Sequence, residues 1–569
     1  MFVEAGLADD QVPMTLDALL ASRIDVLEPG ERAVLSRAAV VGRAFSRESL
    51  GALTPDAEAR ELDGRLASLE RRRLVRPRGD DHEFVHPLVR GAAYDAIGRP
   101  ERAAMHETFA RWLDECGEGD ELVGTHLERA VLDIRGVGQD ARQLADDAAE
   151  LLGRAGERAV WRRDNHGAVS LLLRAAALLP ELEARRLELE CLASVPLKNL
   201  WQSLRAVALL DDVVTRSGRL GDRRLELRAR VEQVWPSLNG GQIDVESAVA
   251  ILKDAVEVCG AEDDLLGVAR GWHMLVVVES RLRHQFDAAV HAGLQAEAFY
   301  ERYGTPGIAD SLTVGLLYES TMTVADAVVF CESRLEQAKL PASRAGAIAL
   351  GLSALKALTG EFDHARELIQ RSRSQFLDIG DEVAVATDVS HAWASLEILA
   401  VDADSARAIA QAGLDAARAS DDRVWQTQFL SQLADIALLD GQHREALDLT
   451  DDARKGAIES DLHQALGWRI PRAHALAVLG QADEAEWLAR EGLQLVDPTD
   501  YLLGRGLIRD ALAHVLGESG RYGEAVSIAE QAVALFDEKG ASLLADRARQ
   551  QVAAFRRGEP AKRAPLERP

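Results

Sequence analysis

The sequence predicts an all-α protein: an N-terminal domain of three helices closed by a β-hairpin, followed by a solenoid of about ten stacked helix pairs. Three observations predict it. Alanine recurs at 168, 206, 248, 289, 327, 365, 406, 446, 485 and 525, at gaps of 38 to 42 residues. In the clearest copies the alanine closes a short signature, as in Gly360-Glu-Phe362-Asp-His-Ala365, Gly441-Gln-His443-Arg-Glu-Ala446, Gly480-Gln-Ala482-Asp-Glu-Ala485 and Gly520-Arg-Tyr522-Gly-Glu-Ala525. Residues before about 98 do not share this period.

Taken in order, Thr15–Leu27, Glu31–Val41 and Asp56–Arg73 carry helical apolar periodicity. Leu74-Val75 and Phe84-Val85 are short apolar runs around Arg78-Gly79-Asp80-Asp81, which reads as a hairpin turn. Three helices and a hairpin make a winged helix over residues 15–98, and residues 99–140 read as connecting helices. The repeats are placed at 141–555 and a frayed basic tail at 556–569.

Within each repeat, a glycine supplies the left-handed backbone that ends one helix, and an aromatic two residues on opens the next. The alanine, three residues in, lets the facing helix approach closely, and the residue three positions later is expected to fill the seam. That residue is large and apolar at Leu171, Leu209, Ile251, Phe330, Leu368, Ile409, Leu449, Leu488 and Ile528, with Ala292 the exception. One hairpin cannot bury its apolar face alone, so the pairs stack. The early copies, near Asn165, Ser203 and Val245, lack the turn glycine and read as degenerate repeats.

The signature resembles the tetratricopeptide repeat, whose ordinary period is roughly 34 residues; the spacing here adds several residues per pair. The N-terminal region resembles the segment that follows the ATPase core in bacterial STAND-type signalling ATPases, including the halves linked to class III adenylate cyclases and the MalT and LuxR-type regulators. The residues that carry this resemblance are Pro13-Met-Thr15-Leu16-Asp-Ala-Leu19-Leu20-Ala-Ser-Arg23-Ile-Asp25, Glu31-Arg32-Ala-Val-Leu35, Ala38-Ala39-Val-Val-Gly42-Arg43-Ala-Phe45 and Phe84-Val-His86-Pro-Leu88-Val-Arg90-Gly-Ala-Ala93-Tyr94, continued by His106, Trp112 and His126-Leu127-Glu128. Phe2-Val3-Glu4 looks like the closing helix of the ATPase lid, so the resemblance implies that residues 1–14 are a remnant of that lid. It also implies a regulatory role and an ATPase or cyclase domain encoded upstream. The nucleotide-binding residues do not carry over: a P-loop needs GxxxxGK[ST], and no Gly-Lys dipeptide occurs in the 569 residues.

Composition narrows the partners. With 66 basic and 93 acidic side chains the net charge is -27, which disfavours polyanions such as nucleic acid and anionic lipid. Cys116, Cys191, Cys259 and Cys331 lie too far apart for a CxxC pair and read as buried free thiols. The most apolar stretch, Ala345–Leu358, is too short to span a bilayer, and Met-Phe-Val-Glu-Ala-Gly has no export-signal character; a cytoplasmic location and no membrane partner are expected.

Three motifs are weighed for chemistry. His82-Glu83-Phe84-Val85-His86 is a literal HExxH, but Pro87 and the Gly79 turn argue against the helix that would bring both imidazoles to one zinc ion. On a strand they would stand about 13 Å apart. Gly136-Val-Gly138-Gln-Asp-Ala141 superficially matches GxGxxA but follows a helical stretch, Leu122 to Ile134, rather than a strand, so a helix connection is expected. Arg71, Arg72, Arg73, Arg76 and Arg78 form the strongest basic cluster, at the third helix and wing, where DNA contacts would lie; Glu70, Asp80 and Asp81 dilute it.

Nine tryptophans, among them Trp201, Trp235, Trp272, Trp393 and Trp425, are expected mainly in cores, with a concave-face anchor as the alternative. No local nucleophile–base set marks a hydrolase. The expectation is therefore a non-enzymatic, cofactor-free scaffold that binds a protein partner or small ligand on its repeat surface. The alternative is a DNA-binding transcriptional regulator acting through the winged helix.

Overall fold

The computed structural model describes residues 23–162, 164–200, 202–239, 241–305, 310–336 and 340–560. They fall into two compact units divided after Glu232, inside helix Arg223–Asn239. Residues 1–22, with the lid remnant and most of the first expected helix, lie outside the described residues, as do Trp201 and residues 561–569 of the tail.

The first unit opens with helix Pro29–Val41, strand β1 (Ala44–Phe45), helix Arg47–Ala52, a 3-10 turn at Ala59–Glu61 and helix Leu62–Arg71. Strands β2 (Val75–Arg78) and β3 (Asp81–Phe84) follow, and the antiparallel sheet runs in the order β1-β3-β2. Gly79, at φ +61, makes the tight turn between β2 and β3. The hairpin lies where its turn chemistry placed it, but β1 and the helix Arg47–Ala52 were not anticipated. Both are too short to show a period; the helix announces itself by its cap, where the Ser46 hydroxyl accepts from Ser49 N at 3.0 Å. The apolar faces of these elements close over Leu35, Leu50, Leu69 and Phe84, all buried.

From Arg142 onward the chain is an α-solenoid. In chain order ten helix pairs follow among the described residues, from Arg142–Trp161 with Asn165–Leu178 to Leu502–Glu518 with Tyr522–Lys539, and helix Ser542–Arg556 comes last. The first-noted alanine is the fourth residue of the second helix in all ten pairs, and all ten are fully buried. The degenerate copies are helices that begin where their register places them, at Asn165, Ser203 and Val245.

One expectation is corrected. The residue three after the alanine sits at the edge of the seam: six of the ten, Leu209, Ile251, Phe330, Ile409, Leu449 and Ile528, are only half-buried. The fourth residue fills the seam instead, buried in every copy: Leu172, Leu210, Leu252, Gly293, Cys331, Ile369, Ala410, Thr450, Ala489 and Ala529. A helix turns 100° per residue, so only i+4 and i+7 return to the line through the alanine.

The period near 40 also has an origin. Left-handed residues occur five before the alanine (His284, Gly360, Val401, Gly441, Gly480, Gly520) and fifteen after it (Gly221, Asp263, Gly304, Gly380, Asp421, Gly540). These breaks stand twenty residues apart, and helices of 17 residues such as Ala342–Leu358 and Phe362–Asp378 fill the space between them. Each helix is about 25 Å long.

The second unit has a further layer of order. Its mid-array segment is tied to its last repeats by contacts more than 200 residues apart in sequence. Asp500 accepts from the backbone N–H of Phe286 and Asp287 at 2.7 and 2.8 Å. Asp287 in turn accepts from Thr321 N and Oγ1 at 2.8 and 2.7 Å. Lys539, fully buried, donates to the carbonyls of Leu317, Ser320 and Met322 at 2.8, 2.5 and 2.7 Å. Three N–H donors meet three acceptors, the satisfaction a buried ammonium requires.

Candidate recognition site

The ties just described place the start of helix Leu462–Val478 and of helix Leu502–Glu518 against the segment that follows Asp310–Leu317. At their meeting point His463 Nε2 lies 2.7 Å from Glu319 Oε1, and the His463 ring lies edge-on to Tyr501 at 5.5 Å. Tyr501 also packs on Phe286 at 5.4 Å. His463 is half-buried, with 39% of its side-chain surface open to water.

His391 stands beside it. Burial, and then the His463 charge, push His391 down to about 4, so it is neutral near pH 7. Its ring meets Trp425 at 5.6 Å and Phe429 at 6.0 Å. Burial also opposes the charge on His463, but the Glu319 carboxylate, with Asp461 behind it, overrides this and raises the imidazole to about 8. Burial raises Tyr318 to about 12 and Tyr501 well above its ordinary value. Two neutral phenols, the neutral His391 imidazole, the Trp425 indole and the Glu319 carboxylate thus lie near His463, and Asp461, Arg281 and His284 also act on it or feel its charge.

The backbone at His391 is unusual. Residues Val385–Val389 form a π-helical turn between Glu382–Ala384 and Ser390–Leu399, and Ser390 Oγ donates to Val385 O, five residues back, at 2.9 Å. Such bulges change the direction of the following side chains and recur at functional sites. Gln432 holds the result: its Nε2 donates to His391 O and Ser395 Oγ at 2.9 and 2.8 Å. Nothing in the repeat signature marked these residues. Helix starts carrying His, Trp and Tyr in successive pairs were the available signal.

Most of the described tryptophans serve the cores: Trp468 lies within one, and Trp112, Trp161, Trp393 and Trp425 pack against one from its edge. Among the eight described, only Trp468 is fully buried; Trp487 is 61% exposed, and Trp235, Trp272, Trp393 and Trp425 are among those half-buried. The thiols differ too: Cys191, Cys259 and Cys331 are buried but Cys116 is exposed, one residue past the end of its helix.

The sequence motifs of the first unit are placed as follows. His82 lies on β3, pairs with Glu70 at 2.9 Å and stacks on Phe45, whereas His86 caps helix Pro87–Asp95 by accepting from Leu88 N at 3.2 Å. The two histidines are thus occupied in different elements. Gly136–Ala141 links helices Asp120–Arg135 and Arg142–Trp161, with Gly138 at φ +75. In the basic cluster, Arg72 pairs with Glu31 at 3.2 Å, and Arg76 and Arg78 share Glu83 at 2.6 and 3.8 Å. Arg71 and Arg73 are exposed, and Arg73 sits in the left-handed region at φ +57.

The remaining residues of the N-terminal resemblance converge. Arg90 donates to Ala39 O at 3.0 Å, the Tyr94 hydroxyl lies 2.8 Å from His106 Nε2, and His106 Nδ1 lies 2.9 Å from His126 Nδ1. The guanidinium of Arg102 lies over the Tyr94 ring at 4.5 Å while pairing with Asp133 at 2.5 Å, and Glu128 holds Arg174. Burial pushes His106 down to about 3 and His126 to about 4. A neutral pair sharing one proton between two Nδ1 atoms must use opposite tautomers.

No protein-family profile matches the chain, and no curated protein matches it. Among solved structures it is similar to a STAND protein with a tetratricopeptide repeat sensor from Pyrococcus horikoshii, at TM-score 0.37 and 13% identity over 95% of this chain and 68% of that one. It is also similar to yeast Tom70 (0.32, 12%, 79% and 96%) and to human IFIT1 (0.35, 16%, 73% and 95%). At these scores the likenesses carry nothing about function.

Proposed function

We propose that this chain is a non-catalytic recognition module, the winged-helix and repeat portion of a STAND-type regulator, which binds a protein partner or small ligand through its repeats. The cluster around His391 and His463 is the observation that carries the recognition reading: it gathers aromatic and hydrogen-bonding groups from five helix pairs inside the second unit. The N-terminal topology, helix–β1–helix–helix–hairpin with sheet order β1-β3-β2, supports the winged-helix reading. The Arg90–Tyr94–His106–His126 chain supports the STAND comparison, because the residues that resemble that family form one connected network. Recognition is argued from the site and the STAND context from analogy.

A thermal-shift screen of the purified chain against metabolites, peptides and ATP, followed by hydrogen exchange on any ligand that stabilises it, tests this reading. Protection is expected within 310–336 and 382–503 and none from ATP. Tight ATP binding, or stabilisation mapping wholly to residues 23–98, would contradict it. The DNA-binding alternative draws on Arg71 and Arg73 alone, since the other three arginines of the cluster are paired; binding that falls steeply with salt and vanishes in an Arg71→Ala, Arg73→Ala variant would favour it.

A further inference from the structure

We propose that polar ties between two edges of the second unit latch its repeat array shut, and that their release uncovers a polar face on the first helices of its pairs. The latch stands on its own geometry; use of the uncovered face for binding rests on the recognition reading above.

The ties form one seam. Asp500 takes the N–H groups of Phe286 and Asp287, Lys539 the carbonyls of Leu317, Ser320 and Met322, and Arg547 the carbonyl of Leu399. Between these ties the backbones approach closely: a Cβ at Gly540 would stand 3.6 Å from Val324 N, and one at Gly360 3.9 Å from Leu543 Cδ1. Segments near 286, 320, 324, 360 and 399 thus meet segments near 500, 539, 540, 543 and 547 in the same order along both edges. The first set follows the first helices of its pairs, and the second set begins the later ones.

This seam differs from the cores. The apolar clusters draw on neighbouring repeats, one from Ala394 to Phe555 and one from Ala357 to Leu396, whereas the ties are single polar groups. Burial pushes the Lys539 amine down to about 8, so the closed form holds that charge at a cost. His284 at φ +53 and Val401 at φ +59, both beside the seam, hold left-handed backbone without being glycine. Strain of this kind collects at elements that switch.

What the closed form covers is polar. A helix of an open two-layer array keeps one face for solvent. Here residues 429–434, 473–477 and 511–517 are buried without a break, and at about 100° per residue five successive positions face every direction. The covered side chains include Gln432, Arg469, His474 and His514, the two histidines stacked at 4.4 Å. Gln432 Oε1 and the Trp468 indole N–H have no hydrogen-bond partner among the described residues. Such groups cost stability in a core and serve on a recognition face.

The test uses the full chain with Cys116→Ser and nitroxide labels at Ala325→Cys and Glu538→Cys, exposed positions on either side of the seam. Electron–electron distances read opening, and diethyl pyrocarbonate followed by mass spectrometry reads access to His474 and His514. The latched chain should give one short distance and slow modification. Lys539→Met and, separately, Asp500→Ala should each add a longer-distance population and speed modification of both histidines at least fivefold, at unchanged circular dichroism. Bridging the two introduced cysteines with a short bismaleimide should abolish the gain.

No longer distance in either variant, or modification that stays slow while the distance lengthens, would overturn the proposal. Loss of helical signal in step with opening in both variants would also overturn it, because the seam would then belong to the folding core. If the variants open as expected but no ligand of the thermal screen binds the native or the opened chain, the recognition reading fails while the latch, read without a ligand, stands.

Discussion

The Tyr94–His106–His126 network makes the first unit acid-labile by an amount that follows from its geometry. Both imidazoles are nine-tenths or more buried, with folded values of about 3 and about 4 against an ordinary 6.5. Their depressed values mean that the folded state keeps them neutral while the unfolded chain protonates them below 6.5. Stability is therefore complete above about pH 6.5 and falls as the pH drops toward the folded values. At pH 5 each ring costs roughly 2 kcal/mol relative to pH 8, from about 1.36 kcal/mol per pH unit over the interval from 6.5, so the pair together costs about 4 kcal/mol.

The assay is hydrogen exchange of helices Arg99–Glu115 and Asp120–Arg135 at pH 5 and pH 8, corrected for intrinsic rates, beside a His106→Gln, His126→Gln variant. The native chain should lose protection by two to three orders of magnitude in these helices, and the variant should be weaker at pH 8 but nearly flat between the two conditions. Equal protection of the native chain at both pH values, or an equal acid loss in the variant, would refute the reasoning.

Other substitutions test the array. Val401 is β-branched yet held at φ +59, where a left-handed backbone costs about 1–2 kcal/mol; Val401→Gly should raise stability by about 1 kcal/mol in chemical denaturation, and a loss would contradict the strain. Ala485 is fully buried in the seam, so Ala485→Leu should destabilise by about 1–3 kcal/mol, while Asp483→Ala on the exposed side of the same turn should stay within about 0.5 kcal/mol. Lys539→Met removes a donor from three carbonyls, of which only Leu317 O keeps another, from Ser320 Oγ at 3.3 Å, and should cost about 3 kcal/mol, with increased exchange at 317–323; unchanged exchange there would show that the tie does not hold the array.

The repeat architecture was legible because stacking imposes one small residue at one place in every pair, and the ten alanines record it. The seam partner was misplaced by one residue because leucine and isoleucine dominate the half-buried edge, whereas the true seam holds Thr450, Ala410, Ala489 and Gly293, which do not look apolar in a list. The second break per repeat was visible as Gly221, Gly304, Gly380 and Gly540 but hidden where Asp263 and Asp421 take the same conformation. The cluster around His463 was not legible at all. A repeat period encodes contacts between neighbours, while Lys539 with Leu317 and Asp500 with Phe286 join segments more than 200 residues apart, next to Glu319 and Tyr501, which meet His463.

The most direct test of that cluster is an NMR titration of the two imidazoles in the intact chain, assigned with His391→Phe and His463→Gln variants. The account predicts that His391 stays neutral down to about pH 4 and that His463 keeps its proton up to about pH 8. Two rings titrating together near 6.5, as on an open surface, would contradict it.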